Sequence, residues 1–181
     1  MRLLNRQFLI LNLCLVHDII LASPSLLEFA LMGCSGELAD YYRHHLEQER
    51  GHDAMAREDL VRLGCAEIIH YHVAAQIAGS QYYMIEHQNP AMLLGYMHVL
   101  ESRALNEKAV DTLENHHGVR LSCLRHHAKH DPGHTAELER QINSLPSGLK
   151  ADVLWNAGGV LQVITYTMDG LWALSQEKEA A

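Results

Sequence analysis

Two short stretches of the chain combine histidine with acidic residues at the same spacing. Each has a histidine, an acid four residues later and a second histidine three residues after the acid: His45, Glu49 and His52 in the first stretch, and His127, Asp131 and His134 in the second. Positions i, i+4 and i+7 lie on one face of an α-helix, so each stretch would present two imidazoles and a carboxylate in one direction. Because iron, manganese and zinc take these groups as ligands, the repeated spacing predicts a metal site formed by two helices.

The residues Glu49 and His52 also have the Glu-x-x-His spacing of di-iron carboxylate bundles. Such bundles use this unit twice, and two further helices each add a glutamate. Asp131 and His134 have the same spacing and would form the second unit. The two units therefore have the spacing used in dinuclear sites, and a mononuclear site stays an alternative.

Glu101 is a further candidate ligand because it interrupts an apolar helical face. On a predicted helix it shares that face with Leu94, Met97 and Leu105. A carboxylate in such a position needs a cation beside it, either a basic side chain or a metal ion. With two histidine-containing helices available we favour a metal ion, and we expect Glu49 and Glu101 to be catalytic residues as well as ligands.

Chance occurrence and helix capping are the competing explanations of these patterns. The chain has 14 histidines, so one such pattern could arise without any function, whereas two in helical stretches favour a site. Asp131 precedes Pro132, so it could be the N-cap of a new helix, or the proline could kink a continuous helix. Both explanations of Asp131 stay open at the level of sequence.

Composition limits the classes of function. The 181 residues are enough for one domain, 1–181, with its own core, and 48% apolar and 20% charged residues are globular values. The net charge of -8 and the lack of a Lys/Arg cluster argue against nucleic acid or a membrane as partner. We expect a small-molecule substrate instead, and the sequence is compatible with a homodimer.

Cysteine usage and the N-terminal segment both bear on the cellular compartment. Four cysteines are scattered without any Cys-x-x-Cys spacing: Cys14, Cys34, Cys65 and Cys123. This argues against zinc-finger and iron–sulfur sites and predicts a reducing, cytoplasmic location. Arg2 and Arg6 before an apolar run have the outline of a signal peptide. However, His17 and Asp18 interrupt the run before the ~20 residues of a membrane span, so we interpret it as a buried first helix.

Apolar periodicity and capping residues predict an all-α protein of about seven helices, without the alternation typical of strands. The predicted helices are residues 3–21, 24–34, 37–63, 67–78, 90–117, 119–143 with a kink or a new start at Asp131, and 149–175, followed by a charged tail at 176–181. In the last helix six residues are expected to face inward: Leu154, Ala157, Leu161, Ile164, Met168 and Leu171.

The order of the candidate ligands resembles that of the heme-oxygenase-like di-iron oxidases and oxygenases, whose fold is shared with thiaminase II and pyrroloquinoline-quinone synthases. The shared features are Glu49-x-x-His52, a lone Glu101 about fifty residues on, and a His-x-x-x-Asp-x-x-His element from His127 to His134. The resemblance covers the chain from about Ser23 to the last helix. It implies a heme-oxygenase-like helical bundle with iron as cofactor, as two ions, and O2 as the co-substrate that oxidises a small organic molecule.

The resemblance also implies a set of metal ligands: Glu49, His52, Glu101, His127, Asp131 and His134. Some members of the superfamily have a glutamate at the position of His45, and others take a carboxylate from the first helix, where this chain has His17 and then Glu28. These three residues are alternatives for completing the site. Three more residues are candidates for hydrogen bonds that fix the imidazole tautomers: Asp59, Tyr42 and Tyr96.

Two other functions are compatible with the sequence. One is a metal-free enzyme resembling thiaminase II, in which Cys123, one turn before His127, would be the nucleophile. The other is metal binding without catalysis, for storage or sensing in a helical bundle. The clustered ligands favour metal over the first alternative, and oxygen consumption with a substrate separates an oxidase from the second.

Overall fold

The computed structural model describes residues 2–177. Within this range the chain forms eight α-helices and one short 3-10 helix, Arg2–Leu4, with no strand. The α-helices are α1 (Arg6–Met32), α2 (Gly36–Glu49), α3 (His52–Arg62), α4 (His72–His87), α5 (Met92–Glu101), α6 (Glu107–His117), α7 (Ser122–Ser144) and α8 (Ser147–Glu177). The predicted all-α class is confirmed. Positions 178–181 of the predicted charged tail lie outside the described residues, and 176–177 belong to α8.

α1 is the central helix of the bundle. It packs against α2, α3, α4 and α8, and its buried residues extend from Phe8 to Ala30. Asn5 caps it, because the Asn5 Oδ1 accepts a hydrogen bond from the Phe8 N–H at 2.8 Å. α1 is long and apolar enough to cross a membrane, but half of its most apolar window is buried inside the bundle. A helix that contacts protein on most sides is apolar all round, which accounts for this composition.

The prediction of a separate helix beginning at Pro24 is wrong, because α1 continues through this proline. Proline removes one backbone N–H from the helix. Ser23, just before this proline, donates its hydroxyl to the Ile19 carbonyl at 3.2 Å. Beyond the proline, Leu26 and Leu27 are 0% and 2% exposed. Their burial in the core offsets the local cost of the proline.

The helix predicted to contain the whole first ligand stretch is two helices, α2 and α3. Arg50 has extended backbone angles, and Gly51 has φ +87°, a left-handed conformation that glycine adopts without steric cost. The break separates Glu49 from His52, so these side chains come from the ends of different helices. The argument from spacing on one helix therefore fails for His45 and His52, although the structure buries all three ligand candidates.

The helix predicted over residues 90–117 is also two helices. α5 ends at Glu101, and α6 begins after Asn106, whose side chain accepts a hydrogen bond from the Ala109 N–H at 2.9 Å. Asparagine is a favoured N-cap, and this signal lies inside an otherwise helical pattern. The break places Glu101 at the C-terminal end of α5, at the edge of the core.

α7 decides between the alternatives for Asp131. The helix extends from Ser122 to Ser144 through Pro132, so Asp131 is inside it and is not an N-cap.

The helix predicted over residues 67–78 is displaced along the chain to α4, which has Gly79 and Ser80 in its interior. Glycine and serine alone were therefore poor markers of a helix end.

α8 buries a face different from the predicted one. Leu154 and Leu161 are 54% and 42% exposed, which contradicts their predicted inward direction. Val153, Asn156 and Val160 face the core instead. The predicted Ile164 and Leu171 are buried as expected, and Ala157 and Met168 are partly buried.

The close crossing of α5 and α8 determines which face of α8 is buried. A Cβ atom at Gly95 would lie 2.3 Å from the carbonyl oxygen of Val153, so the two backbones approach as closely as glycine allows. The buried Asn156 amide donates to the Gln81 Oε1 at 2.8 Å and to the Met92 carbonyl at 2.9 Å. This contact orients α8 and holds α5, which ends in Glu101.

We expect Gly95→Ala to destabilise the protein by about 1–3 kcal/mol, because the added methyl group overlaps the α8 backbone. Gly159→Ala is the matched control, since Gly159 also lies in a helix and no atom lies within 4 Å of its added Cβ. This control should stabilise the protein by about 0.5–1 kcal/mol through helix propensity. Urea unfolding followed by circular dichroism measures both effects, and equal responses would contradict the close crossing.

Candidate metal centre

Seven side chains lie together where α2, α3, α5 and α7 meet: His45, Glu49, His52, Glu101, His127, Asp131 and His134. They are the six ligands that the resemblance implies together with His45, one of the three alternatives for completing the site. The two predicted units come from different parts of the chain and face each other across the end of α5. The structure therefore supplies the convergence that a metal site requires.

Glu101 is the link between the two units. Its Oε1 lies 3.4 Å from the His45 Nε2 of α2, and its Oε2 lies 3.4 Å from the His134 Nδ1 of α7. Glu49 occupies the neighbouring position, with Oε1 at 3.6 Å from the His45 Nε2 and Oε2 at 3.6 Å from the His52 Nδ1. Each carboxylate thus stands between two imidazoles.

Within α7 the ligand candidates are closer to one another. The Nδ1 of His127 lies 2.9 Å from the Oδ1 of Asp131 and 3.1 Å from the Oδ2. The Nδ1 of His134 lies 3.9 Å from the same Oδ1. The i, i+4 spacing of His127 and Asp131, which was noted in the sequence, produces their contact.

Two groups of three residues have ligand atoms that all lie within 4.8 Å of one another. The first group is His45, Glu101 and His134, and the second is Glu101, His127 and Asp131. Glu101 belongs to both. A carboxylate has two oxygens, so one glutamate can belong to two neighbouring groups of candidate ligands.

Buried polar atoms that lack a hydrogen-bond partner indicate whether these residues suit a metal. Five buried atoms at the centre have no hydrogen-bond partner among the described residues: Glu49 Oε1, His52 Nδ1, Glu101 Oε2, His127 Nε2 and His134 Nδ1. Buried polar atoms without a partner are destabilising, and native proteins rarely concentrate them in one place. Carboxylate oxygens and imidazole nitrogens are ligands for transition metals, so the chemistry of these donors fits a metal.

Protonation of the centre also suits cation binding. Burial opposes ionisation of Glu101, but the imidazoles of His134 and His45 hold its pKa well below the usual range. Burial likewise opposes ionisation of Glu49, and His52 and His45 lower its pKa. Both glutamates are therefore anionic at neutral pH, as ligands must be.

On α7 the protonation of Asp131 is linked to that of His127. Burial raises the pKa of Asp131 to about 6, with His127 opposing this shift and Glu101 adding to it. Burial would lower the pKa of His127, but the Asp131 carboxylate, and after it the Cys123 thiol, raise that pKa. In the metal-free protein, protons on imidazole compensate the acidic charge, and a bound cation would replace those protons.

Of the three alternatives for completing the site, the structure brings only His45 to it. Glu28 is exposed and lies 3.5 Å from the Arg50 guanidinium at the surface. His17 is buried, but its Nδ1 lies 3.3 Å from Asp18, beside His70 rather than beside the centre. The first helix therefore contributes neither residue to the group of candidate ligands.

The predictions for Asp59 and Tyr42 as partners of the imidazoles are wrong. Asp59 accepts hydrogen bonds at 2.7 Å from the backbone N–H groups of Ser122 and Cys123, so it caps the start of α7. The Tyr42 hydroxyl donates to the Pro90 carbonyl at 2.9 Å. Sequence reasoning missed the capping role because Asp59 and Ser122 are 63 residues apart.

A cavity of about 350 Å³ lies beside the candidate ligands. Its wall contains aliphatic residues of α1, α5 and α8, among them Val16, Ile20 and Ile164, together with the buried Tyr96. The Tyr96 hydroxyl has no hydrogen-bond partner in the described chain. Five ligand candidates also line this space: His45, Glu49, Glu101, His127 and Asp131. No local pattern predicts the cavity, since its aliphatic residues are indistinguishable from core residues in the sequence.

Comparison with known proteins bears on the fold. No protein-family model matches the chain, and no curated protein matches it significantly. Among solved structures, a domain of unknown function with a heme oxygenase-like fold from Shewanella denitrificans OS217 superposes with a TM-score of 0.79. The match covers 96% of this chain and 81% of that domain. The fold is heme oxygenase-like.

A sequence identity of 15% with that domain supports the fold alone. The expectation of a heme-oxygenase-like helical bundle is confirmed at this level. In this heme oxygenase-like fold, the candidate ligands lie at the ends and centres of helices that also enclose the cavity. The scaffold therefore gives a buried site with room for an organic molecule.

Asp59 fixes the start of the helix that contributes three candidate ligands. We expect Asp59→Ala to destabilise the protein by about 1–3 kcal/mol, because two buried backbone N–H groups would lose their acceptor. Glu58→Ala is the matched control, since Glu58 lies on the same helix and forms only an exposed ion pair with Arg62 at 2.9 Å. Its effect should stay below about 1 kcal/mol. Thermal unfolding measures both, and equal losses would refute the cap.

Proposed function

We propose that the protein is a non-heme di-iron oxidase or oxygenase that uses O2 to oxidise a small organic substrate. The observation that carries the proposal is Glu101, one buried carboxylate that belongs to two groups of candidate ligands. Imidazole and carboxylate together suit iron, and open positions are a property of such ligand sets. The heme oxygenase-like fold is compatible with this activity but does not by itself indicate it.

Iron held by these residues would supply the electron transfer to O2, which amino-acid side chains alone cannot perform. The chain's own residues have other tasks. Glu101 and Glu49 contribute negative charge, and His45 lies between them, with His52 beside Glu49. Because the centre is buried, water has little access to it, and the electrostatic interactions among these groups are strong.

The cavity supports a substrate that is mostly apolar. Its aliphatic wall would exclude water and bury hydrocarbon, while Tyr96 offers one hydroxyl that the protein leaves without a partner. Glu101 and Asp131 line the same space, so a bound molecule would contact the candidate ligands directly. This proximity favours catalysis over storage or sensing, where no organic pocket is needed.

The metal-free alternative has less support. Cys123 is fully buried, packs in an apolar cluster with Ile20 and Ala56, and does not line the cavity. A nucleophile must reach its substrate, and Cys123, although it interacts with His127, is not among the residues that line the cavity. Cys123 is therefore better explained as a core residue of α7.

Glu101→Ala tests the proposal. Wild-type protein purified from iron-supplemented cells should contain about two iron ions per chain and take up O2 with a substrate. The variant should lose the second ion and substrate-dependent O2 uptake together, because both candidate groups share this carboxylate. The helical circular dichroism signal should remain, since apolar packing holds the bundle.

Glu86→Ala is the matched control, an exposed glutamate on α4 that should leave iron content and oxygen uptake unchanged. Glu101→Gln keeps the size of the side chain while removing its charge, and it should fail in the same way as the alanine variant. Full iron stoichiometry and turnover in Glu101→Ala would make Glu101 a structural residue and defeat the shared-carboxylate site.

Val16→Phe tests whether the cavity binds the substrate. The larger side chain would occupy part of the space next to α1, so kcat/KM should fall by about tenfold or more. Iron content should not change, because Val16 is not among the candidate ligands. Val163→Phe, an equal change at an exposed position of α8, is the control. Unaltered kinetics in Val16→Phe would place substrate binding elsewhere.

A further inference from the structure

A row of imidazole rings connects the candidate centre with the protein surface. The His52 ring lies 4.5 Å from the His126 ring between centroids, and His126 stacks on His130 at 4.5 Å with an interplanar angle of 29°. At its inner end, His52 lies 5.2 Å from His127. Four histidines from α3 and α7 thus form a continuous series of contacts, of which the sequence nominated only two as ligands.

Exposure increases along this row. His52 is 4% exposed, His126 is half-buried, and His130 is exposed. His126 and His130 form no hydrogen bond or ion pair with any residue that the structure describes. Their rings contact other histidines, but no described protein group binds their ring nitrogens. Two histidines at i and i+4 lie on one helix face, a spacing from which they can chelate a transition-metal ion.

The row and the cavity reach the centre from different sides. His127 lines the cavity, whereas His52, His126 and His130 do not. The cavity is aliphatic and would disfavour a hydrated cation, which gives up its water only to polar ligands. A charged ion and an apolar substrate therefore have separate approaches to one centre.

We propose that His130 and His126 are a metal-uptake site, which captures a divalent first-row transition-metal ion at the surface and passes it to His52 and His127. This inference rests on the proposed function, since it requires that the centre bind metal. Successive imidazoles would replace water molecules of the ion one at a time, so no step requires a bare cation. The unpartnered His52 Nδ1 and His127 Nε2 are the acceptors at the inner end of the row.

Loading kinetics test the uptake site. Metal-free protein is mixed anaerobically with Fe(II), and in parallel with Co(II) as a spectroscopic probe, and binding is followed by stopped-flow absorbance. In the double variant His126→Gln/His130→Gln, loading should slow at least about tenfold, because the ion would enter without the surface imidazoles that hold it. The final stoichiometry and the equilibrium Kd should match wild type, because the resident ligands are intact.

Two further variants keep the outcome interpretable. His44→Gln/His87→Gln removes two exposed histidines outside the row and should load at the wild-type rate. His130→Gln alone changes only the exposed end of the row, where folding is not at risk, and should show intermediate slowing. Equal loading rates in wild type and the double variant would overturn the uptake site while leaving the proposed function intact.

The remaining outcomes are also decisive. A lower final stoichiometry in the double variant would make His126 and His130 resident ligands, which overturns a purely kinetic role. If wild-type protein binds neither ion, the proposed function and the uptake site fail together.

Discussion

The buried charge of Glu101 is the constraint on which the site depends. A carboxylate that is 8% exposed in an apolar bundle is tolerated only if cationic groups compensate it. His45 and His134 lie at 3.4 Å from its two oxygens and provide part of this compensation when protonated. Two helices distant in sequence are thereby held against the end of α5. The same geometry that balances a charge also creates the cluster of donor atoms.

Breaks in the helices are what bring the donors to one point. Glu49 and His52 do not lie on one straight helix. The left-handed backbone at Gly51 ends α2 and lets α3 begin in a new direction. The loop after Glu101 similarly ends α5 at the site and lets α6 turn away. Asp59 then fixes the start of α7 from the other side. Irregular positions between helices are therefore as important for the centre as the ligand spacing.

The helical class and the pairing of His127 with Asp131 were predictable because both depend on local spacing. His127 and Asp131 are one turn apart, and their contact follows from helix geometry alone. The breaks at Gly51 and after Glu101 were not predicted, since each lies within a longer helical pattern, and α1 continues through a proline because burial outweighs propensity. The cavity, the cap at Asp59 and the outward direction of Leu154 depend on residues far apart in sequence. The spacing of apolar residues along one helix does not predict contacts of this kind.

The two groups that share Glu101 differ in how they are assembled. His127 and Asp131 sit one turn apart on α7, so their relative position is fixed by the backbone of a single helix. His45 and His134 come from α2 and α7, and they meet only through the packing of the bundle, in which α2 packs on α1 and α7 packs on α5. The His127–Asp131 pair is thus preorganised by secondary structure, whereas its approach to Glu101 and the meeting of His45 with His134 depend on tertiary packing. Small relative movements of the helices would therefore change the contacts between helices before they change the pair within α7.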